Sequence, residues 1–541
     1  MTVRPVPFSA LPGFSPFFRA YVAGDARLAP FFEHPDWNSD AALRCASDAA
    51  ANHPRARTAL VDALRAQAAR WGPDADADRA TERLLDPASV AVVTGQQVSL
   101  FGGPLYTVFK AATAVALARR VEAVTGRPVL AVFWLASEDH DFAEASEVTV
   151  GAATLRLPAP PRVPGELGPG AAGRVVLDDR VLPLVEAAVA ALPETEHATG
   201  VAAALRAAYA PGTTLADAFG RVLRFLFAGT GLVLLDPDDP ALKALAAPLF
   251  ARAARDGHAP ARSVTEAGGR LVAAGFHAQI PAATAPGFFL LDERGRLGLD
   301  ADGDGYRVRA TGERFTAAEL EALAHDAPGR FSASVTLRPT VQDVLLPTAA
   351  YVGGPGEIAY WAQLRGVYAW AGVPMPVVYP RASATLVDAR TRRALARLGL
   401  EPEDAAGPAD ALFARLAAHD PALDAAFADA SAALDAVLGA LASHVGGIDA
   451  TLERSAEAAR VRMRHALGGL HEKTLRAERR TQSDLRRAAE HAVGALRPGG
   501  VLQERVLSAL TFRAGYGPAF VAHLIDALPL GEPAHAVVSL D

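Results

Sequence analysis

The stretch VAVVTGQQVSLFGGPLYTVFKAATAVALARRVEAVTGRPVLAVFWLASEDHDF, residues 90–142, decides how the chain is read. It opens on an unbroken apolar run that ends in Thr94, Gly95, Gln96 and Gln97 and passes through a glycine-rich loop. It then enters a segment with Val108, Ala111, Ala112, Val115, Leu117, Ala118 and Val121 at roughly helical spacing. Gly126 before Arg127 and Pro128 supplies a stop, and a second apolar run, PVLAVFWLA, follows. Strand, loop, helix, strand is a βαβ unit. Both strands are almost continuously apolar, the pattern of a parallel sheet covered by helices on both faces. The fold class is therefore α/β, a doubly wound parallel sheet. In such sheets ligands sit beyond the carboxyl ends of the strands, which places TGQQ beside SEDHDF.

A chain of 541 residues, 51% hydrophobic and 21% charged, buries more than one core. Residues 1–149 read as the first half of the sheet core, and a Pro/Gly-rich run, LPAPPRVPGELGPGAAG, introduces a helical and loop insertion over 150–228. The strand GLVLLDP at 231–237 returns to the core, assigned 229–261. Short alternating runs such as GFFLLDE and GYRVRA predict a small, partly β insertion over 262–346. The core ends over 347–390, with MPVVYPRASATL at 375–386 as its last strand. Over 391–496, Leu452, Ala456, Ala459, Met463, Ala466 and Leu470 step by four and three, a heptad-like stripe of long antiparallel helices. Glycines at 446–447 and 468–469 mark bends or turns there, and 497–541 reads as a segment docking back on the core.

The 53 Lys and Arg against 60 Asp and Glu create no positive field, so nucleic acid and anionic membrane are disfavoured as partners. The single cysteine, Cys45, forms no intrachain disulfide and sits in a helical context, LRCASDAA, where packing is its expected role. The N-terminal residues lack a secretory apolar core, and no run of about 18 apolar residues stands out, so a cytoplasmic setting is expected.

Three segments carry candidate chemistry. In TGQQVSLFGGPLYTVFK, 94–110, glycines permit close backbone approach and a helix start offers free amides to a phosphate or carboxylate. It is neither a Walker loop nor a dinucleotide fingerprint, and a structural turn stays open. Lys110, one turn into the helix, either reaches an anion or is a solvated helix lysine. In SEDHDF, capping explains one or two acids, and the remainder suit acid/base work, with His140 as a proton carrier or as a donor to developing negative charge. Adjacent residues alternate faces, so no single-metal site is expected from this segment alone. In YVGGPGEIAYW, 351–361, Glu357 and Tyr360 lie three apart and can face one cleft. Arg338 and Arg381 are suited to a carboxylate or to a structural ion pair.

Together with TTLADAFGRVLRFLFAGTGLVLLDP, LRPTVQDVLLPTAAYVGGPGEIAYWAQL and LQERVL, these motifs resemble one family over almost the whole chain: the cysteine-adding BshC family of bacillithiol synthesis. The resemblance implies a Rossmann-like core with two connecting insertions, a C-terminal coiled coil used for homodimerisation, and amide formation between L-cysteine and malyl-glucosamine. Making an amide from a free carboxylate and an amine in water is uphill, so ATP with magnesium is the expected activator, another activated cysteine donor staying open. No tightly bound metal is expected. On this reading His140, Asp139, Lys110 and Gln97 are the catalytic candidates. Thr94, Gly95, Gln96, Gly102, Gly103, Tyr106, Glu138, Asp141, Arg338, Gln342, Gly353, Gly354, Glu357, Tyr360 and Arg381 are the substrate or nucleotide contacts. A metal-dependent hydrolase or deacetylase of the same pathway, with EDHD as ligands, and a non-catalytic coiled-coil scaffold are the alternatives.

Overall fold

The computed structural model describes residues 1–160, 165–167, 170–281, 286–405, 412 and 421–540. Within the chain two compact units separate, Met1–Leu386 with Val501–Leu540, and Val387–Gly500.

The first unit is built on a five-stranded parallel sheet. Its strands are β1 (Val90–Gln97), β2 (Val129–Ala136), β3 (Val233–Leu235), β4 (Thr348–Gly353) and β5 (Val377–Pro380). They lie in the order β5-β4-β1-β2-β3, every pair parallel. The order reverses between β1 and β4, which makes that gap the topological switch point where a doubly wound sheet opens a crevice. Thr94 lies beside Val352 in the register across this gap, so Gly95, Gln96, Gly353 and Gly354 rim its carboxyl end.

The crossover from β1 to β2 is the helix α1 (Leu105–Thr125), as the spacing predicts. Its inward residues include Val108, Ala112, Val115 and Val121, all nearly inaccessible to solvent. Gly126 ends it with φ +68 and donates its amide to Glu122 O at 2.8 Å, the left-handed cap that glycine adopts without a Cβ clash. Three further helices bear on the site: α2 (Pro240–Asp256) after β3, α3 (Arg338–Leu345) before β4, and α4 (Pro355–Trp361) after β4.

The expected last core strand over 375–386 is two strands. Pro380 has no amide to continue the ladder, Arg381 N donates to Gly353 O at 2.9 Å, and the chain then leaves the sheet. Ala384–Val387 pairs in a separate three-stranded sheet with Ala534–Ser539, which in turn pairs with Thr2–Pro7. The β insertion is an antiparallel five-stranded sheet of Arg314–Thr316, Gly305–Val308, Gly295–Asp302, Phe288–Asp292 and Phe331–Ala333, in that order. Cys45 lies on the helix Asp40–Asn52 but is exposed, so the packing role expected of it is not what it does there.

In the second unit, α5 (Pro421–Gly446) and α6 (Ala450–Leu496) form an antiparallel hairpin. Arg464 pairs with Asp435, and Phe427 stacks on His471 at 4.4 Å between ring centroids. Glycines 446–447 mark the turn, but those at 468–469 sit in continuous helix, contrary to the expected bend. Two glycines cost a helix of this length about 2 kcal/mol, which its other turns outweigh. Among the described residues, Ala422–Gly446 is long and apolar enough to cross a membrane, with mean hydropathy 1.5, which corrects the expectation that no such run exists. On the predicted stripe Leu452, Met463 and Leu470 are exposed, as are Val437 and Leu441 on α5.

Candidate functional site at the switch point

The site is best built from Lys110. Four turns of α1 follow it, and its side chain points back under the end of β1, where only 4% of it is exposed. Its ammonium donates to Gly95 O at 2.7 Å, to Gln96 Oε1 at 2.9 Å, and to the Glu357 carboxylate. That uses all three N–H bonds of a lysine. Glu357 is held from the far side: Tyr351 Oη donates to Oε1 at 2.6 Å and Gly354 N to Oε2 at 2.8 Å, the latter closing the first turn of α4. Burial alone raises the Glu357 carboxyl, yet Lys110, Tyr351 and Gly354 together hold it below its ordinary value. Burial lowers the Lys110 ammonium, with Glu357 opposing and the cations Arg381 and Arg338 adding to the fall. The pair is ionised, because the carboxylate collects three donors.

Arg338, the first residue of α3, reaches the same place. Its guanidinium donates to Gln342 Oε1 at 3.0 Å and to Tyr360 Oη at 3.4 Å, and lies 5.3 Å from the centre of the Tyr351 ring. Among the described residues no carboxylate lies within ion-pair distance of it. Burial pushes its proton affinity down, but Tyr360, Tyr351 and Glu357 raise it overall. Arg381 is committed instead: its guanidinium grips Glu504, at 2.5 Å and 3.1 Å, and Ser383 Oγ and Ala384 N bind the same carboxylate. Of the two roles open to Arg381, the ion pair is the one occupied.

The glycine-rich loop differs from its expected form. Gly102 and Gly103 are buried, with φ of +82 and +70. A Cβ on Gly102 would lie 2.9 Å from Val222, and one on Gly103 3.1 Å from Ser99. The loop needs glycine for packing there. Leu105 N, at the start of α1, donates to Leu507 O at 2.8 Å, so this amide is taken by the C-terminal segment rather than open to an anion. The Tyr106 hydroxyl accepts from Gln96 Nε2 at 3.5 Å. Thr94 Oγ1 donates to Val352 O at 2.9 Å and braces the two strands at the switch point.

The acidic segment after β2 divides between backbone and side-chain roles. Asp139 accepts from its neighbours His140 N and Asp141 N, and Asp141 caps the short helix Phe142–Ala145 through Glu144 N. Gln97 Nε2 donates to Asp141 O at 2.6 Å, which brings TGQQ and SEDHDF together as the sheet rule predicts. Glu138 turns to a mixed-charge cluster beyond β3: Lys243 of α2 lies 3.0 Å from Glu138 Oε1 and 2.6 Å from Asp238, which Arg174 also grips. Burial raises the Glu138 carboxyl, Lys243 only partly offsetting it. His140 is half-exposed, and its Nδ1 lies 3.0 Å from Arg296 Nη1 of the β insertion. Among the described residues no three His, Cys, Asp or Glu are grouped to hold a metal ion.

Sequence reasoning missed Tyr351, Glu504, Lys243, Asp238, Arg174 and Arg296. Tyr351 opens the quoted YVGGPGEIAYW, and Glu504 lies in LQERVL, so motif density was a signal for both; Lys243 and Arg296 had none.

An open parallel sheet of this order, with buried cations and a carboxylate at its switch point, defines a Rossmann-type protein. The description "Bacillithiol biosynthesis BshC, N-terminal Rossmann-like domain" matches residues 1–382, and the C-terminal coiled-coil domain of the same family matches 384–540. The chain belongs to the BshC family. It is 41% identical to a protein of Salinibacter ruber named "Putative cysteine ligase BshC", over 99% of this chain and 98% of that one. Proteins of the same name from Koribacter versatilis and Symbiobacterium thermophilum are 37% and 36% identical, over 96% and 95% of this chain and 97% and 95% of theirs.

Proposed function

We propose that the chain is a cysteine ligase that joins L-cysteine to malyl-glucosamine through an amide bond, with reaction at the crevice between β1 and β4. The observation that carries this reading is Arg338: a guanidinium at the switch point with no carboxylate partner among the described residues, beside the hydroxyl of Tyr360. Such a group is a receptor for the carboxylate of an acid substrate, since guanidinium and carboxylate match in geometry and charge. Lys110 and Glu357 form the floor of the crevice, holding Gln96 and Gly354 in place. Their charges cancel, so the floor gives shape and Arg338 gives the sign. His140, with Asp139 and Asp141 shaping its turn, is the proposed proton-bearing group at the neighbouring strand end.

Lys110 and Arg381 are each neutralised by a carboxylate and Leu105 N is occupied, so these residues do not fit a triphosphate at the glycine-rich loop. ATP with magnesium is retained as the proposed energy source, with no residue assigned to it. The exposed apolar stripe of α5 and α6 supports a homodimer through the second unit.

The test is product formation from malyl-glucosamine and cysteine with purified protein, read by mass spectrometry, with and without ATP and magnesium. Amide product with stoichiometric loss of ATP is expected. Product without ATP consumption removes the ATP proposal alone; no product under either condition removes the ligase reading. Release of acetate from an N-acetylated precursor, abolished by chelation, would establish the hydrolase alternative instead.

A further inference from the structure

The β insertion contributes one side chain to the strand-end surface, and its contacts are unusually complete. Arg296, on the strand Gly295–Asp302, donates through Nε to Ser332 Oγ at 3.1 Å and through Nη2 to Ala333 O at 2.8 Å. Its guanidinium carbon lies 3.9 Å from the centre of the Phe289 ring. Those three contacts come from the insertion's own sheet and leave the group no freedom to turn. The remaining nitrogen, Nη1, points at His140 Nδ1 at 3.0 Å.

An arginine has donors and no acceptor, so a hydrogen bond from it requires a lone pair on Nδ1. The imidazole proton must then sit on Nε2, at the far side of the ring. The competing arrangement places the proton on Nδ1 and gives it to Asp139 Oδ1, 3.4 Å away. That oxygen already accepts from His140 N at 2.6 Å and Asp141 N at 3.3 Å, and an Nδ1 proton would face the guanidinium donor. Burial lowers the proton affinity of Arg296, and the nearby carboxylates of Glu138 and Asp139 oppose that fall.

We propose that Arg296 is a positioning residue that fixes His140 as a neutral hydrogen-bond donor through Nε2, so that the insertion is part of the reaction site. This deepens the ligase reading and rests on it for the role of His140: the ring donates to an oxygen that gains negative charge during acyl transfer and keeps its proton, rather than acting as a base. A base would need the lone pair that Arg296 occupies, or an unprotonated Nε2, which the Arg296 contact disfavours.

The experiment is long-range proton–nitrogen NMR on the full chain labelled with 15N-histidine, without substrate and in mildly alkaline buffer. The His140 signals are identified by their loss in His140→Gln. A protonated Nε2 with an unprotonated Nδ1 is expected, and Arg296→Met is expected to shift the ring toward the Nδ1-protonated form or a mixture. Arg296→Lys, which keeps a cation and one donor, is expected to retain the original form in part. A wild-type ring protonated on Nδ1 overturns the proposal without any variant, and so does an unchanged tautomer in a folded Arg296→Met protein. In turnover, Arg296→Met is expected to lower kcat at least tenfold with KM nearly unchanged. Because the tautomer is read on the resting protein, failure of the ligase assay leaves it standing, and an active enzyme with the wrong tautomer rejects this inference alone.

Discussion

Replacing Lys110 by Met removes a buried cation and leaves its partners in place. Gly95 O and Gln96 Oε1 then lose their donor, and the Glu357 carboxylate keeps Tyr351 and Gly354 but no countercharge. At a contact separation of about 3 Å and an effective dielectric near 20, the attraction given up is about 5 kcal/mol in gross terms. The relief from no longer desolvating the ammonium offsets part of it, and breaking one side of a buried pair costs about 3–5 kcal/mol net. Glu357→Gln strands the ammonium instead, beside two other cations, and its expected cost is similar. The double variant Lys110→Met, Glu357→Gln carries neither charge, so it is expected to be about 2–3 kcal/mol more stable than the two single losses added together. Urea unfolding followed by tryptophan fluorescence reads this cleanly. All 5 tryptophans lie in the first unit, and Trp361 stacks on Tyr351 at 4.6 Å, next to the pair. Single variants within about 0.5 kcal/mol of the wild type, or losses that simply add, would refute the argument that the pair is desolvated and coupled.

Asp343 titrates in the opposite sense to Glu357. Burial pushes it from its ordinary 3.8 up to about 6, hydrogen bonds from Thr348, Tyr368 and Gln342 notwithstanding. The folded state therefore holds this proton more tightly than the unfolded one, so its contribution is full below about pH 4 and is lost as pH rises through about 6, a loss of about 3 kcal/mol at most. Asp343→Asn is expected to flatten the stability-versus-pH curve over that window in urea titrations, and an unchanged slope rejects the assignment. Gly103→Ala, at φ +70 with Ser99 Cβ 3.1 Å and Thr107 Oγ1 3.2 Å from the new methyl, is expected to cost about 2–3 kcal/mol. Gly126→Ala, at φ +68 with open space around it, should cost only about 1 kcal/mol by the same unfolding assay; equal losses would remove the packing argument. Val437→Glu with Leu441→Glu, at positions 67% and 51% exposed on α5, is expected to convert a dimer to a monomer in light scattering after gel filtration. A monomeric wild type would refute that use of the stripe.

The sheet was legible because buried parallel strands leave a signature that needs no partner information. The runs at 90–97 and 129–136 are apolar on both faces, and Gly126 marks a helix end through its own backbone freedom. The site was legible only in part. Lys110 reads equally as an anion contact or as a solvated helix lysine, since its burial depends on Glu357, 247 positions later, and no local pattern reveals that β1 and β4 become neighbours. Glycines 102–103 looked like an anion loop because the sequence cannot say whether an amide faces solvent or Leu507. Asp139 looked like a catalytic acid beside His140 and Asp141 like a substrate contact, and the structure shows each also serving its own turn. Arg296 and Lys243 sit among ordinary polar neighbours, and only the tertiary fold gives them their partners.

The grip of Arg381 on Glu504 has a consequence for how the protein is made. The sheet core is finished, as sequence, by residue 380, yet the carboxylate that neutralises Arg381, the carbonyl that occupies Leu105 N, and the strand that pairs with Thr2–Pro7 all come from residues after 500. A ribosome synthesising this chain must therefore complete the coiled-coil hairpin before the first unit can close. A fragment cut at the family boundary near residue 382 would keep a buried guanidinium with nothing to balance it, and would lack an edge for its own first strand. Expression in two halves is expected to recover a soluble first unit only when the last forty or so residues are supplied with it.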